Sequence, residues 1–155
     1  MKIFNAETSK SIVLLLLALR LTAAAELGGN ASTVQADQVH MKASLKITPT
    51  DGYTVQEIRS PSGTTVREFV SAEGKVFAVA WHGPFLPDLH QILGGSFAPF
   101  VDAARAQKGR RSGHQPVFVQ QDGLIAISAG HPRDYFGKAY LPALLPQGIS
   151  AEEIR

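Results

Sequence analysis

Hydrophobic and polar residues alternate strictly between positions 39 and 47, a pattern typical of a strand with one buried face. Val39, Met41, Ala43, Leu45 and Ile47 share one side of this stretch. Turn sequences rich in Gly, Pro, Ser and Asp then divide the chain into apolar segments at 53–58, 64–70 and 75–81. Connections this short make neighbouring strands antiparallel, so the pattern predicts a meander.

The segment at 75–81 differs from the others because both of its faces are apolar. Val76, Ala78 and Ala80 alternate with Phe77, Val79 and Trp81. A strand that buries both faces is typical of the middle of a sheet. We therefore predict that 75–81 is a central strand.

After Pro84 the spacing of the apolar residues lengthens to that of a helix. The first set comprises Phe85, Leu89, Ile92 and Leu93, and the second comprises Phe97, Phe100, Val101 and Ala104. Gly94 can end the first helix with a positive backbone angle, and Ser96 can cap the second. The sequence therefore predicts two central helices.

A hairpin is predicted for segments 116–120 and 124–129, which flank the turn sequence Asp122-Gly123. Together these elements predict an α+β fold. We expect an antiparallel sheet of five or six strands, made of the meander and the C-terminal hairpin, with the two helices packed on one face. The pattern leaves the order of the strands open.

The first 25 residues have the pattern of a secretory signal peptide. Lys2 and Lys10 precede an apolar run at 12–19, and three small residues follow at 23–25. This order of charged, apolar and small residues predicts export to the periplasm or secretion.

We predict that the signal peptide is cleaved between Ala25 and Glu26. The mature chain is then a single globular domain at 26–155, with a loose, glycine-rich opening. An uncleaved membrane anchor is the alternative, but spanning a bilayer takes about 20 apolar residues, and Arg20 interrupts this run.

The leader also dominates the charge of the chain. The full sequence has 15 Lys and Arg residues against 13 Asp and Glu residues, and removal of the leader leaves 12 of each. A neutral mature domain gives no support to a nucleic-acid partner. The chain has no cysteine, so it can form neither a disulfide nor a lipid-modified cysteine. We therefore expect no lipidation and no stable membrane anchor after cleavage.

The sequence lacks the motifs of a serine hydrolase and of a phosphate-binding loop. A Gly-x-Ser-x-Gly elbow is absent, and the glycine pairs at 28–29 and 94–95 lack the spacing of a phosphate-binding loop. His82, Asp88 and His90 crowd a nine-residue window, but Asp88 and His90 diverge on a helix. We predict neither a metal nor a cofactor.

The segment from Trp81 to Phe85 is the strongest candidate for a ligand-binding surface. A strand gives way to a helix there through Gly83 and Pro84, which leaves backbone groups unpaired beside large aromatic side chains. We name Trp81, His82, Pro84 and Phe85 as candidates. The alternative is that Trp81 and Phe85 only pack in the core.

Two polar segments supply the other candidate binding residues. Arg110 and Arg111 belong to the densest cationic run, which suits an anionic envelope component, although such a run is also typical of a solvated helix end. Arg133 and Tyr135 lie in a polar, aromatic turn, where we expect Arg133 and Asp134 to form a surface ion pair.

Several strings of this chain are similar to those of a known family. They are Tyr-Thr-Val-Gln-Glu-Ile at 53–58, Ser-Pro-Ser-Gly-Thr-Thr-Val-Arg-Glu-Phe at 60–69 and Gly-Lys-Val-Phe-Ala-Val-Ala-Trp-His-Gly-Pro-Phe-Leu-Pro-Asp-Leu at 74–89. The chain resembles a family of exported proteobacterial proteins catalogued as a domain of unknown function. This resemblance covers nearly all of the mature chain and implies a Gram-negative source and a periplasmic or secreted location. It implies no activity, cofactor or catalytic residue.

These observations favour a non-catalytic, exported domain that binds another protein or an anionic component of the cell envelope. The alternative is a small hydrolase or lyase that uses His82 or His131 with a nearby carboxylate, Asp88 or Asp134, because residues far apart in sequence can converge in the fold. A third possibility is a structural accessory that is stable only in a complex.

Overall fold

The computed structural model describes residues 26–31, 42–108 and 115–155, and these build one seven-stranded antiparallel sheet. Its strands are β1 (Ser44–Pro49), β2 (Tyr53–Arg59), β3 (Thr65–Ser71), β4 (Val76–Gly83), β5 (Val117–Gln121), β6 (Leu124–His131) and β7 (Asp134–Tyr140). Their order across the sheet is β1-β2-β3-β4-β7-β6-β5. The α+β class is confirmed, and β4 is the central strand, as the sequence predicts.

The predicted hairpin is β5–β6, whose turn has positive φ at both central residues. Asp122 has φ 51° and Gly123 has φ 75°, which matches the twist of the flanking strands and is readily adopted by an Asp-Gly pair. The expected number of five or six strands is wrong, because β7 follows β6 through a tight turn at 132–133. The sequence analysis placed the start of β7 in a turn.

The helical residues form one uninterrupted stretch rather than two separate helices. The helix α1 (Leu89–Leu93), a 3-10 turn (Gly94–Ser96) and the helix α2 (Phe97–Lys108) follow one another without a connecting loop. Gly94 is the C-cap of α1 with φ 49°, as predicted, but the 3-10 turn begins at the same residue and continues the helical stretch. Two central helices are therefore not confirmed.

The helical stretch covers one face of the sheet, here called the helix side. Its core joins Leu89, Ile92, Leu93 and Phe100 to sheet residues that include Ile58, Val66, Val79, Trp81 and Leu124. The α2 helix packs against β5 and β6. Asp88 begins α1, because its carboxylate accepts hydrogen bonds from the backbone N–H groups of His90 and Gln91 at 3.0 and 3.2 Å.

The opposite face, here called the tail side, is partly covered by the C-terminal tail, residues 142–155. Its core contains Phe69, Phe77, Ala78, Ala80 and Ile154. A bulge places Phe77 here: Val70 pairs with Val76 and Phe69 with Ala78, so Phe77 is an extra residue in β4. The predicted alternation along β4 is therefore wrong at its start, where Val76 lies on the helix side.

The glycine-rich opening is attached to the sheet, contrary to the expectation that it is loose. The N–H of Gly28 donates to the carbonyl of Val76 at 2.8 Å, and the N–H of Val76 donates to the carbonyl of Gly29 at 3.0 Å. Leu27 is buried in the helix-side core. Residues 27–29 therefore pack against β4 and the helix-side core.

Candidate functional site

A groove of about 330 Å³ opens on the tail side, where β4 pairs with β7. Its apolar lining consists of Ala80, Trp81, Ile127, Phe136, Gly137 and Ile154. His82, Lys138 and Arg155 complete the lining. The groove is formed by segments far apart in sequence, because β4 lies beside β7 and β7 lies beside β6. We call it the β4–β7 groove.

Trp81 contributes both to the groove and to the helix-side core. Its side chain is 3% exposed and packs beside Gly137, its pairing partner in β7. A Cβ atom at Gly137 would clash with the indole ring and with the carbonyl oxygen of Ile127. Among the described residues the indole N–H has no hydrogen-bond acceptor.

The outer wall of the groove is the end of the C-terminal tail, which two basic side chains hold in place. The Nζ of Lys138 donates to the carbonyls of Ala151 at 2.7 Å and Ile154 at 3.1 Å. The Nη1 of Arg67 donates to the carbonyl of Arg155 at 3.0 Å. These contacts fix Ile154 and Arg155 at the edge of the groove.

Asp134 lies at one end of the groove between two histidines. Its carboxylate is 3.0 Å from the Nε2 of His82 and 3.8 Å from the Nε2 of His131. The predicted pairing of Arg133 with Asp134 does not describe this arrangement, because the turn that begins β7 directs the carboxylate to the histidines. The side chains of His82 and Asp134 are 69% and 46% exposed, so solvent screens their attraction.

Of the predicted binding residues, Trp81 and His82 line the groove, whereas Pro84, Phe85, Arg133 and Tyr135 are outside its lining. Phe85 is 60% exposed, and its carbonyl accepts a hydrogen bond from the Thr64 hydroxyl at 2.8 Å. It is therefore a surface residue rather than a core residue. Arg110 and Arg111 lie outside the described residues.

The carboxylate at position 88 is not brought to the histidines at the end of the groove. Asp88 instead caps α1, so of the two predicted acidic partners only Asp134 contacts His82 or His131. Over the described ranges, no three His, Cys, Asp or Glu side chains are arranged to hold a metal ion. In the same part of the chain, no helix has the length and apolarity needed to span a bilayer.

Most of the apolar lining of the groove is not predicted from the sequence. Ile127 and Phe136 lie on strands that meet β4 only through the order β4-β7-β6, and Ile154 reaches the groove through the fold of the tail. The only local signal was an aromatic residue, Phe136, that continues the polar, aromatic segment at 131–135.

Comparison with known proteins identifies one family. The family described as "Protein of unknown function (DUF2844)" matches residues 23–154. Neither the curated proteins nor the solved structures give a significant match to the chain.

Proposed function

We propose that this chain, which belongs to the DUF2844 family, is an exported, non-catalytic domain that binds a protein or an anionic component of the cell envelope. The observation that carries this proposal is the open, largely apolar β4–β7 groove. Its volume of about 330 Å³ is at the lower end of the range of ligand pockets, about 300–1,000 Å³. Apolar surface that remains open to solvent on a small domain often marks a contact site.

Export is supported by how the described contacts and the family match lie relative to the proposed cleavage position. The N–H of Leu27 donates to the carbonyl of Ile92 at 3.2 Å, so a chain that begins at Glu26 keeps this contact. The family match likewise begins at residue 23, close to the end of the leader.

The leader is tested by expressing the full chain in a Gram-negative host and measuring the mass of the exported product. We expect a chain that begins at Glu26. Ala25→Arg should leave the precursor uncut, whereas the matched variant Ala24→Arg should still be cleaved, because signal peptidase selects small residues at the first and third positions of the Ala-x-Ala site. An exported wild-type chain that retains residues 1–25 would contradict the proposal.

The binding role is tested by affinity capture from an envelope extract, with the exported protein as bait. The decisive variant is Phe136→Ser, which removes an exposed aromatic side chain from the groove, and its control is Phe85→Ser, which removes one outside the groove. We expect a retained component that Phe85→Ser still binds and Phe136→Ser does not. A component that both variants retain equally would show that the groove is not the contact surface.

A second candidate function, a hydrolase or lyase, is favoured by the contact between His82 and Asp134. A carboxylate beside an imidazole can orient it and stabilise its protonated form, which is what a general base requires. If a screened substrate is turned over, His82→Asn and Asp134→Asn should each lower the rate by about 100-fold or more. The exposed His90 provides the control, His90→Asn. Turnover that survives both substitutions would exclude this role.

A further inference from the structure

The β4–β7 groove combines an apolar floor with titratable side chains that are all basic. Its charged or titratable lining residues are His82, Lys138 and Arg155, and no acidic side chain lines it. His82 is already paired with Asp134 at the far end. Among the described residues, neither the Lys138 ammonium, which donates to two tail carbonyls, nor the Arg155 guanidinium forms an ion pair with an Asp or Glu side chain. The tail end of the groove is therefore its cationic end.

The apolar part of the lining is continuous with that cationic end. Lys138 pairs with Ala80 on one side and with Ile127 on the other, so its side chain shares their face of the sheet, and its Nζ lies at the tail. Phe136, 46% exposed, lies two residues along the same strand and on the same face. A ligand lying along the floor from Phe136 towards Arg155 thus passes from apolar surface to basic groups.

We propose, building on the binding role suggested above, that the β4–β7 groove binds a fatty acid: a single alkyl chain on the floor with its carboxylate at Lys138 and Arg155. The small volume suits one chain better than the two chains of a membrane phospholipid. Complementary charge fixes the direction of the chain, since a carboxylate gains charge-assisted hydrogen bonds only at the tail end.

Trp81 is the only tryptophan of the chain and adjoins the groove, but it is 3% exposed and packs in the helix-side core, so its fluorescence reports binding indirectly beside calorimetry. The exported protein is titrated with octanoate, decanoate and dodecanoate, each below its micelle concentration, and with decanol as a neutral match. Trp81 fluorescence and calorimetry give the dissociation constants. We expect about fourfold tighter binding for each added methylene group until the floor is filled. Decanol should bind at least about tenfold more weakly than decanoate.

Two variants separate the chain contact from the charge contact. Phe136→Ser should flatten the dependence on chain length, and Phe85→Ser should not. Arg155→Ala should reduce the preference for decanoate over decanol, and the exposed Arg133→Ala should not. Arg155 is exposed, so its variant tests the inference even if Phe136→Ser fails to fold.

The outcomes separate this inference from the broader binding role. Absence of saturable binding, or equal affinity for decanoate and decanol, would overturn the fatty-acid assignment. If envelope capture still depends on Phe136 in that case, the binding role stands and the occupant is the captured protein or envelope component rather than a fatty acid. If neither capture nor titration depends on Phe136, both proposals fail.

Discussion

Gly137 lies opposite Trp81 in the pairing of β4 with β7, at a point where the backbone of one strand meets the ring of the other. A side chain at this position would have to displace the indole or the carbonyl of Ile127. The residue is therefore selected by space rather than by backbone conformation. Because Gly137 has no side chain, the backbone of β7 can lie close to the Trp81 ring.

Gly137→Ala should lower the free energy of unfolding by about 1–3 kcal/mol, because the added methyl group overpacks a site whose neighbours are backbone and a buried ring. Urea denaturation measures the change. Gly95→Ala is the matched control, since a Cβ atom there meets nothing within 4 Å, and its effect should be neutral or slightly stabilising. Equal losses in the two variants would argue against the packing account.

At the scale of elements, Gln107 closes the outer edge of the sheet. Its side-chain amide donates to the carbonyl of Phe118 and accepts the N–H of Phe118 at 3.3 Å, in place of a further strand. Pro116, immediately before β5, has no N–H to offer. Unpaired edges are sites of association between chains, so this contact of α2 with β5 removes one position at which another strand could pair.

Gln107→Ala should expose the backbone of Phe118 and produce concentration-dependent self-association, with a loss of about 1 kcal/mol in stability. Sedimentation at several protein concentrations measures the association. Gln120→Ala, an exposed substitution on β5 itself, is the control and should remain like the wild type. If Gln107→Ala does not associate at any concentration, the contact of Gln107 with Phe118 is not what prevents association at this edge.

The strands that the sequence predicts are those with a regular apolar pattern between clear turn residues. β2, β3, β4 and the β5–β6 hairpin all follow from alternation and turn residues. β7 was missed because Gly137 and Lys138 interrupt its apolar pattern. Both residues have other tasks, since Gly137 makes room for Trp81 and Lys138 fastens the tail. These two roles therefore place Gly137 and Lys138 where apolar residues would have made β7 recognisable as a strand.

At the scale of the whole molecule, the C-terminal tail packs against the central strand. Ile154 is 1% exposed, although it is the penultimate residue, and it packs with Ala80 and Phe77 of the central strand. No local pattern predicts this burial, because the pocket for Ile154 exists only after the sheet has assembled. The site is likewise predictable at Trp81 and His82 but not at the residues that other strands bring to them.

Ile154→Ala should lower the free energy of unfolding by about 2–5 kcal/mol, because it leaves a cavity in the tail-side core. Ile47→Ala is the control, since Ile47 is 54% exposed on β1 and its change should stay within about 0.5 kcal/mol. Chemical denaturation of both variants gives the comparison. A small loss at Ile154 would mean that the tail adds little to the folded state.

The strand order has a consequence for how the chain folds. β1 to β4 and β5 to β7 are each joined by short turns, so each half of the sheet can form early from neighbouring segments. Their junction, β4 with β7, unites residues such as His82 and Asp134 that are 52 positions apart. Bringing these residues together costs loop-closure entropy, which must be overcome before the contacts between β4 and β7 can stabilise the fold. We therefore expect the seam where the groove lies to form after the two halves of the sheet, which hydrogen-exchange labelling during refolding would show as late protection of β4 and β7 at their junction.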